Sequence, residues 1–205
     1  MTKIAVLVSG GGTNLQALID AQQAGKIENG QISLVVSSNP KAYALERAAK
    51  AAIPSEVLRR RDFSDAEEYG KALTALLENA DIGLIVLAGF MTVLPDSFCR
   101  HFENRIINVH PSLIPSFCGK GMYGLRVHEA ALARGVKVTG ATVHFVNEIP
   151  DGGRILLQKA VEVLPGDTPQ TLQRRVMEQA EWILLPQAAE MVAARLRAEK
   201  EGSRA

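Results

Sequence analysis

Apolar residues fall along this chain in two alternating rhythms: short unbroken runs, and stretches where they recur every three or four positions. Lys3–Ser9 is apolar almost throughout, which predicts a strand covered on both faces. Leu15-Gln16-Ala17-Leu18-Ile19 then opens a helix. Ile32–Val36 reads as a second strand, Ala42–Ala51 as a helix, and Ser55–Leu58 as a short third strand. Ser64, with Glu67 three residues later, predicts a capped helix through Asn79. Ile82–Ala88 is the most apolar run and reads as the centre of the sheet. A short helix is expected from Asp96 to Phe102, followed by a strand at Ile106–His110 that Pro111 and Pro115 bring to an end.

The second half changes rhythm. Ser116–Arg126 is too glycine-rich for a helix interior and reads as a loop; Val127–Arg134 reads as a helix stopped by Gly135. Val138–Val146 and Arg154–Val163 predict a β-hairpin around an acidic, glycine-containing loop. Thr168 as N-cap and Pro169 in the first turn start a helix over Gln170–Glu178. It continues past Trp182 to Arg197, with a break or kink expected at Pro186. Lys200–Ala205 reads as a disordered tail. The alternation predicts an α/β protein: a doubly wound, mostly parallel sheet with a C-terminal antiparallel β-hairpin and a long closing helix.

Composition narrows the class. The 205 residues, 47% hydrophobic and 22% charged, suit one domain with a real core. A net charge of +1 supplies no argument for nucleic acid or an anionic membrane. Cys99 and Cys118 do not make a disulfide framework, and without a secretory leader they read as reduced thiols in a cytoplasmic protein.

Two segments hold candidate chemistry. Gly10-Gly11-Gly12-Thr13-Asn14 lies between a strand and a helix N-terminus, a geometry that receives anions. It lacks the Gly-Lys-Ser/Thr ending of a P-loop. It also departs from a dinucleotide fingerprint, having Leu15 at the third glycine position and no acidic residue after the second strand. A small phosphate ligand fits, and so does a tight turn that needs glycine for backbone reasons alone. In Ile106–Pro115, Asn108 and His110 are two apart and should share one strand face. They are either a reactive pair or a polar pair satisfying a turn. No histidine pair has zinc-ligand spacing, and Ser112 lacks a nucleophile elbow. An amide, an imidazole and the Asp151 carboxylate in the hairpin loop suit acyl transfer without a covalent enzyme intermediate. The glycines after Asp151 would let that loop close over a cosubstrate.

Five dispersed motifs give a specific resemblance. Ser9–Asn14 with Leu15-Gln16, Leu87–Met91, Asn108–Pro115, Gly140–Val146 and Asp151-Gly152-Gly153 together resemble the phosphoribosylglycinamide formyltransferases, folate-dependent enzymes of de novo purine synthesis. The likeness runs in order as far as Pro186. It implies the formyltransferase fold in one catalytic domain over residues 1–199. It also implies transfer of the formyl group of 10-formyltetrahydrofolate to phosphoribosylglycinamide. By the same resemblance, Gly12, Thr13, Asn14 and Glu181 would bind the nucleotide; Met91, Thr92, Val93, Leu94 and Asn108 would line the folate site. Asn108 and His110 would hold the oxyanion and move protons, with Asp151 setting the ionisation of His110. The implied partners are small molecules, without metal, nucleic acid or membrane, acted on by a monomer or homodimer. The family places an arginine for folate where this chain has Ala66; Arg59–Arg61 is the nearby substitute. Methionyl-tRNA formyltransferases and formyltetrahydrofolate deformylases share the Asn-x-His and distant Asp. The first are expected to carry a further basic domain and the second a preceding regulatory one. A non-catalytic module of the same fold would bind without turnover.

Overall fold

The computed structural model describes residues 1–202. The strands are β1 (Thr2–Val8), β2 (Gly30–Ser37), β3 (Ser55–Val57), β4 (Leu84–Leu87), β5 (Ile106–His110), β6 (Val138–Phe145) and β7 (Ile155–Glu162). The helices are α1 (Thr13–Gln23), α2 (Tyr43–Lys50), α3 (Ala66–Asn79), α4 (Asp96–His101), α5 (Leu125–Arg134), α6 (Pro169–Val176) and α7 (Trp182–Gly202). They surround a seven-stranded sheet of order β3-β2-β1-β4-β5-β6-β7. Pairings among β1 to β5 are parallel, whereas β6 and β7 run antiparallel. The predicted doubly wound sheet with its C-terminal hairpin is therefore present. No helix among the described residues is long and apolar enough to cross a membrane.

Strict alternation explains why the central strands lack polar residues. Ile4, Val6 and Val8 of β1 point into one core layer with Leu15, Leu18, Leu185 and Val192. Ala5 and Leu7 point into the other, with Tyr69, Leu73 and Phe98. Each large side chain removed from water in this way contributes about 1.5–3 kcal/mol. In β5, Ile107 and Val109 join the first layer and Ile106 the second. Asn108 and His110 thus continue the row of Ile106 toward the strand's carboxyl end.

The expected loop over Ser116–Arg126 ends at Gly124, since α5 begins at Leu125, two residues before the expected start, and three further differences have a visible cause. The N-cap of α3 is Asp65, not Ser64: its carboxylate accepts the Glu68 N–H at 2.8 Å, and Ser64 instead donates its Oγ–H to Glu68 at 2.7 Å. Residues 64/67 and 65/68 offer the same spacing, and Glu67 is engaged elsewhere by Ser97. Pro186 does not break its helix. The irregularity is a π-helical turn at Met177–Glu181. α-Helix resumes at Trp182 and continues through Pro186, which leaves the Trp182 carbonyl without its usual donor. The last helix also runs to Gly202, through the start of the expected tail; the rest of that expectation lies outside the described residues.

The chain reverses its winding between β1 and β4, which are neighbours in the sheet. Crevices at such a switch point lie at the strands' carboxyl ends. Ser9–Gly12 follows β1 there, and Ala88–Leu94 follows β4. Ser9 Oγ accepts the Met91 N–H at 2.8 Å and ties the two loops together.

Candidate active site

The glycine turn has two kinds of glycine. Gly12 caps α1 at φ 71° and ψ 32°, a left-handed conformation, and a Cβ there would stand 2.7 Å from Ala44 Cβ. Backbone and packing both demand glycine at that position. Gly10 and Gly11 are different, since an added Cβ on either would meet nothing within 4 Å. They leave an open face beside the first N–H groups of α1, where the helix end favours negative charge. The backbone reading of this turn therefore holds at Gly12, while Gly10 and Gly11 leave room for an anion. Arg47 of α2 adds a cation, donating from Nε to the Gly11 carbonyl at 2.8 Å.

Asn14 is buried in the first turn of α1 and donates from Nδ2 to Glu181 Oε2 at 2.8 Å. Its Oδ1 has no partner among the described residues. Glu181 is held inside by the π-helical turn, and burial pushes its carboxyl up to about 7 against the opposing Asn14 bond. Beside the open turn are therefore an orphan acceptor and a carboxyl with capacity to spare, groups suited to a polar ligand. Thr13 is exposed, its Oγ1 3.9 Å from Met177 Sδ.

Asn108, His110 and Asp151 converge. Asp151 Oδ2 stands 3.5 Å from His110 Nδ1, and its Oδ1 stands 3.6 Å from His144 Nε2. The Gly119 N–H donates to Asp151 Oδ2 at 2.8 Å, and His110 Nε2 meets the Phe117 carbonyl at 2.9 Å. The glycine-rich loop after β5 thus holds both groups through its backbone. Both ring nitrogens of His110 face oxygen atoms, Nε2 that of the Phe117 carbonyl and Nδ1 that of the Asp151 carboxylate. Burial acts to raise the Asp151 carboxyl; the His144 ring, the Gly119 N–H and the His110 charge together outweigh it and hold it below the usual carboxylate range. Gly153 is required for space, because a Cβ there would overlap the Phe145 carbonyl oxygen at 1.8 Å.

His144, which motif reasoning left without a role, joins this cluster. The antiparallel register sets it opposite Asn108, and its Nε2 lies 3.3 Å from Asn108 Nδ2. Its Nδ1 is 2.7 Å from the Phe145 carbonyl, which fixes the ring and turns Nε2 toward both Asn108 and Asp151. The ring thereby sets the orientation of the Asn108 amide. The available signal was a histidine inside the apolar alternation Val143-His144-Phe145. Arg47 gave no such signal, since it sits on an ordinary amphipathic helix.

Met91, Thr92, Val93 and Leu94 line a cavity of about 760 Å³ together with Arg60 and Ala66. Val93 is 82% exposed, so this wall is an open surface. A separate groove of about 770 Å³ lies between α1 and α7, bordered by Thr13, Arg47 and Trp182. Neither cavity is lined by Asn108, His110 or Asp151.

A switch-point crevice with an amide, an imidazole and a carboxylate at its rim defines a group-transfer enzyme of the α/β class. The family model described as "Formyl transferase" matches residues 2–188, and the chain belongs to that family. Phosphoribosylglycinamide formyltransferase of Haemophilus influenzae is 43% identical over 179 residues, covering 87% of this chain and 82% of that protein. The human trifunctional purine biosynthetic protein adenosine-3 is 42% identical over 191 residues, 93% of this chain but only 18% of that protein's length. Among solved structures, glycinamide ribonucleotide transformylase 1 from Symbiobacterium toebii superposes with a TM-score of 0.88 at 40% identity, covering 95% of this chain and 88% of that one.

Proposed function

We infer that this chain transfers a formyl group from 10-formyltetrahydrofolate to the amine of phosphoribosylglycinamide, in the cytoplasm and within one catalytic domain over residues 1–199. The observation that carries the reading is the convergence of Asp151 and His144 on His110 and Asn108, at the same sheet edge as the open glycine turn. The nucleotide phosphate lies on Gly12, Thr13 and Asn14, with Arg47 behind the turn. Glu181 and the free Asn14 Oδ1 take polar groups of the sugar or glycinamide. The folate ring system lies along Met91–Leu94; a cavity of about 760 Å³ is in the range of drug-sized ligand pockets.

Reduced folate supplies the formyl carbon. As the amine nitrogen adds to that carbon, negative charge grows on the formyl oxygen, and the Asn108 amide and the His110 edge stabilise it. His110 Nε2 is committed to the Phe117 carbonyl, which leaves Nδ1, beside Asp151, as the nitrogen that carries the proton. The amine loses a proton through water to Asp151, His110 gives one to the departing folate nitrogen, and the carbon–nitrogen bond to folate breaks. The separations of 3.5 and 3.6 Å exceed direct hydrogen bonds and leave a gap that a water or substrate atom closes.

The test is an absorbance assay of folate release with four acceptors: phosphoribosylglycinamide, water, a sugar amine and charged initiator tRNA. Release with phosphoribosylglycinamide alone is expected. Release with only one of the others overturns the substrate assignment.

A further inference from the structure

We propose that Arg47 is a positioning residue for the nucleotide phosphate, acting through the Gly11 carbonyl rather than as a charge that faces the ligand. This rests on the assignment of the glycine turn to that phosphate.

The turn strings three glycines together, and glycine loses more conformational freedom on ordering than any other residue. A Cβ at Gly10 or Gly11 would meet nothing within 4 Å, so side-chain packing does not confine those two residues. Their carbonyls are held instead, both by α2. The Ala44 N–H donates to the Gly10 carbonyl at 3.1 Å, and Arg47 Nε donates to the Gly11 carbonyl at 2.8 Å. Ala44 lies in the first turn of α2, where a backbone N–H has no acceptor within its own helix. Arg47 is three residues further on and shares that helix face.

Held carbonyls aim amides. Both peptide bonds are trans, so each N–H points away from the carbonyl in its own plane. With the Gly10 and Gly11 carbonyls turned to α2, the Gly11 and Gly12 N–H groups point to the opposite side. Neither donates to a partner among the described residues. They are donors that an anion on the turn would take. A cation on the Gly11 carbonyl also polarises that peptide and strengthens the Gly12 N–H as a donor.

Arg47 is itself braced. Its Nη1 donates to Gln16 Oε1 at 2.9 Å, and its guanidinium carbon lies 5.0 Å from the centre of the Tyr43 ring. Two of its nitrogens are thus engaged by protein acceptors, one on the turn and one on α1. The turn is ordered before a ligand arrives, so its conformational entropy does not oppose binding.

The experiment separates donor from charge at position 47. Arg47→Gln puts an uncharged amide N–H at the bond position of Nε, and Arg47→Met puts a methyl group there. The KM for phosphoribosylglycinamide should rise about ten-fold in Arg47→Met, with kcat and the KM for 10-formyltetrahydrofolate unchanged. Most of that rise should be absent in Arg47→Gln. Titration with inorganic phosphate gives a second readout. The Gly11 and Gly12 amide resonances should shift on binding in the natural protein and in Arg47→Gln, and be broadened from the start in Arg47→Met. An equal rise in KM in the two variants makes Arg47 a charge and overturns the positioning role. An unaltered KM in Arg47→Met, or a fall in kcat in its place, overturns it as well. If the natural enzyme formylates no phosphoribosylglycinamide, the functional reading falls instead, and the phosphate titration still decides whether Arg47 orders the turn.

Discussion

Asp151 Oδ2 lies 3.5 Å from His110 Nδ1, although one residue sits in a hairpin loop and the other ends a strand. The pairing of β5 with β6, and of β6 with β7, brings the loop over the strand end. Asp151 itself adopts φ 55°, and its carboxylate is anchored by the Gly119 N–H. A carboxylate fixed in this way faces an imidazole whose other nitrogen is already occupied, which leaves one defined route for a proton.

Breaking that route should cost rate rather than fold. His110→Ala is expected to lower kcat by about 10³-fold, and Asp151→Asn by about 10²-fold or more. Single-turnover measurements with both substrates, alongside thermal melts, check this. A rate near that of the natural enzyme in either variant removes the role assigned to the residue.

His144 acts through Asn108. His144→Phe keeps the volume and deletes the ring nitrogen 3.3 Å from the amide, so Asn108 loses its fixed orientation. The expected result is a kcat lower by about 10- to 100-fold with little change in KM for the nucleotide. A change in KM alone would argue that the residue shapes binding instead.

Glu181 makes stability depend on pH. Burial raises its folded-state value from 4.5 to about 7, so the folded state disfavours the charged form. Its contribution is fully present below the unfolded value of 4.5, is lost as pH rises through about 7, and stays lost above that. The loss is about 3 kcal/mol as an upper estimate. Glu181→Gln should therefore be more stable than the natural protein at pH 8 and show little of the decline between pH 5 and 7. Urea denaturation at pH 5 and pH 8 measures the difference, and parallel pH dependence in the two proteins would sink the argument.

Gly12→Ala should destabilise by more than about 1 kcal/mol, because a left-handed φ of 71° and a Cβ 2.7 Å from Ala44 both oppose it. Gly11→Ala has free space and should be tolerated in the fold while weakening phosphate binding. Denaturation curves and nucleotide KM for the pair separate the two effects.

Much of this molecule was legible in its sequence. The unbroken apolar runs at Lys3–Ser9 and Ile82–Ala88 placed the central strands, because residues covered on both faces leave no polar position. Thr168 and Pro169 marked a helix start that the structure keeps, with Thr168 accepting the Thr171 N–H at 3.2 Å. The shift of a cap from Ser64 to Asp65, and the passage of a helix through Pro186, were not legible. In each case two local solutions of similar quality existed, and packing chose between them.

Local patterning determined the strands, the helices, the glycine turn and the Asn-x-His pair, because these depend on residues within a few positions of one another. The tertiary structure alone decided that Asp151 faces His110, that His144 holds Asn108 and that Glu181 is buried against Asn14. Those pairs come from strand register and helix docking, and register is set by burial of a whole face rather than by any single residue.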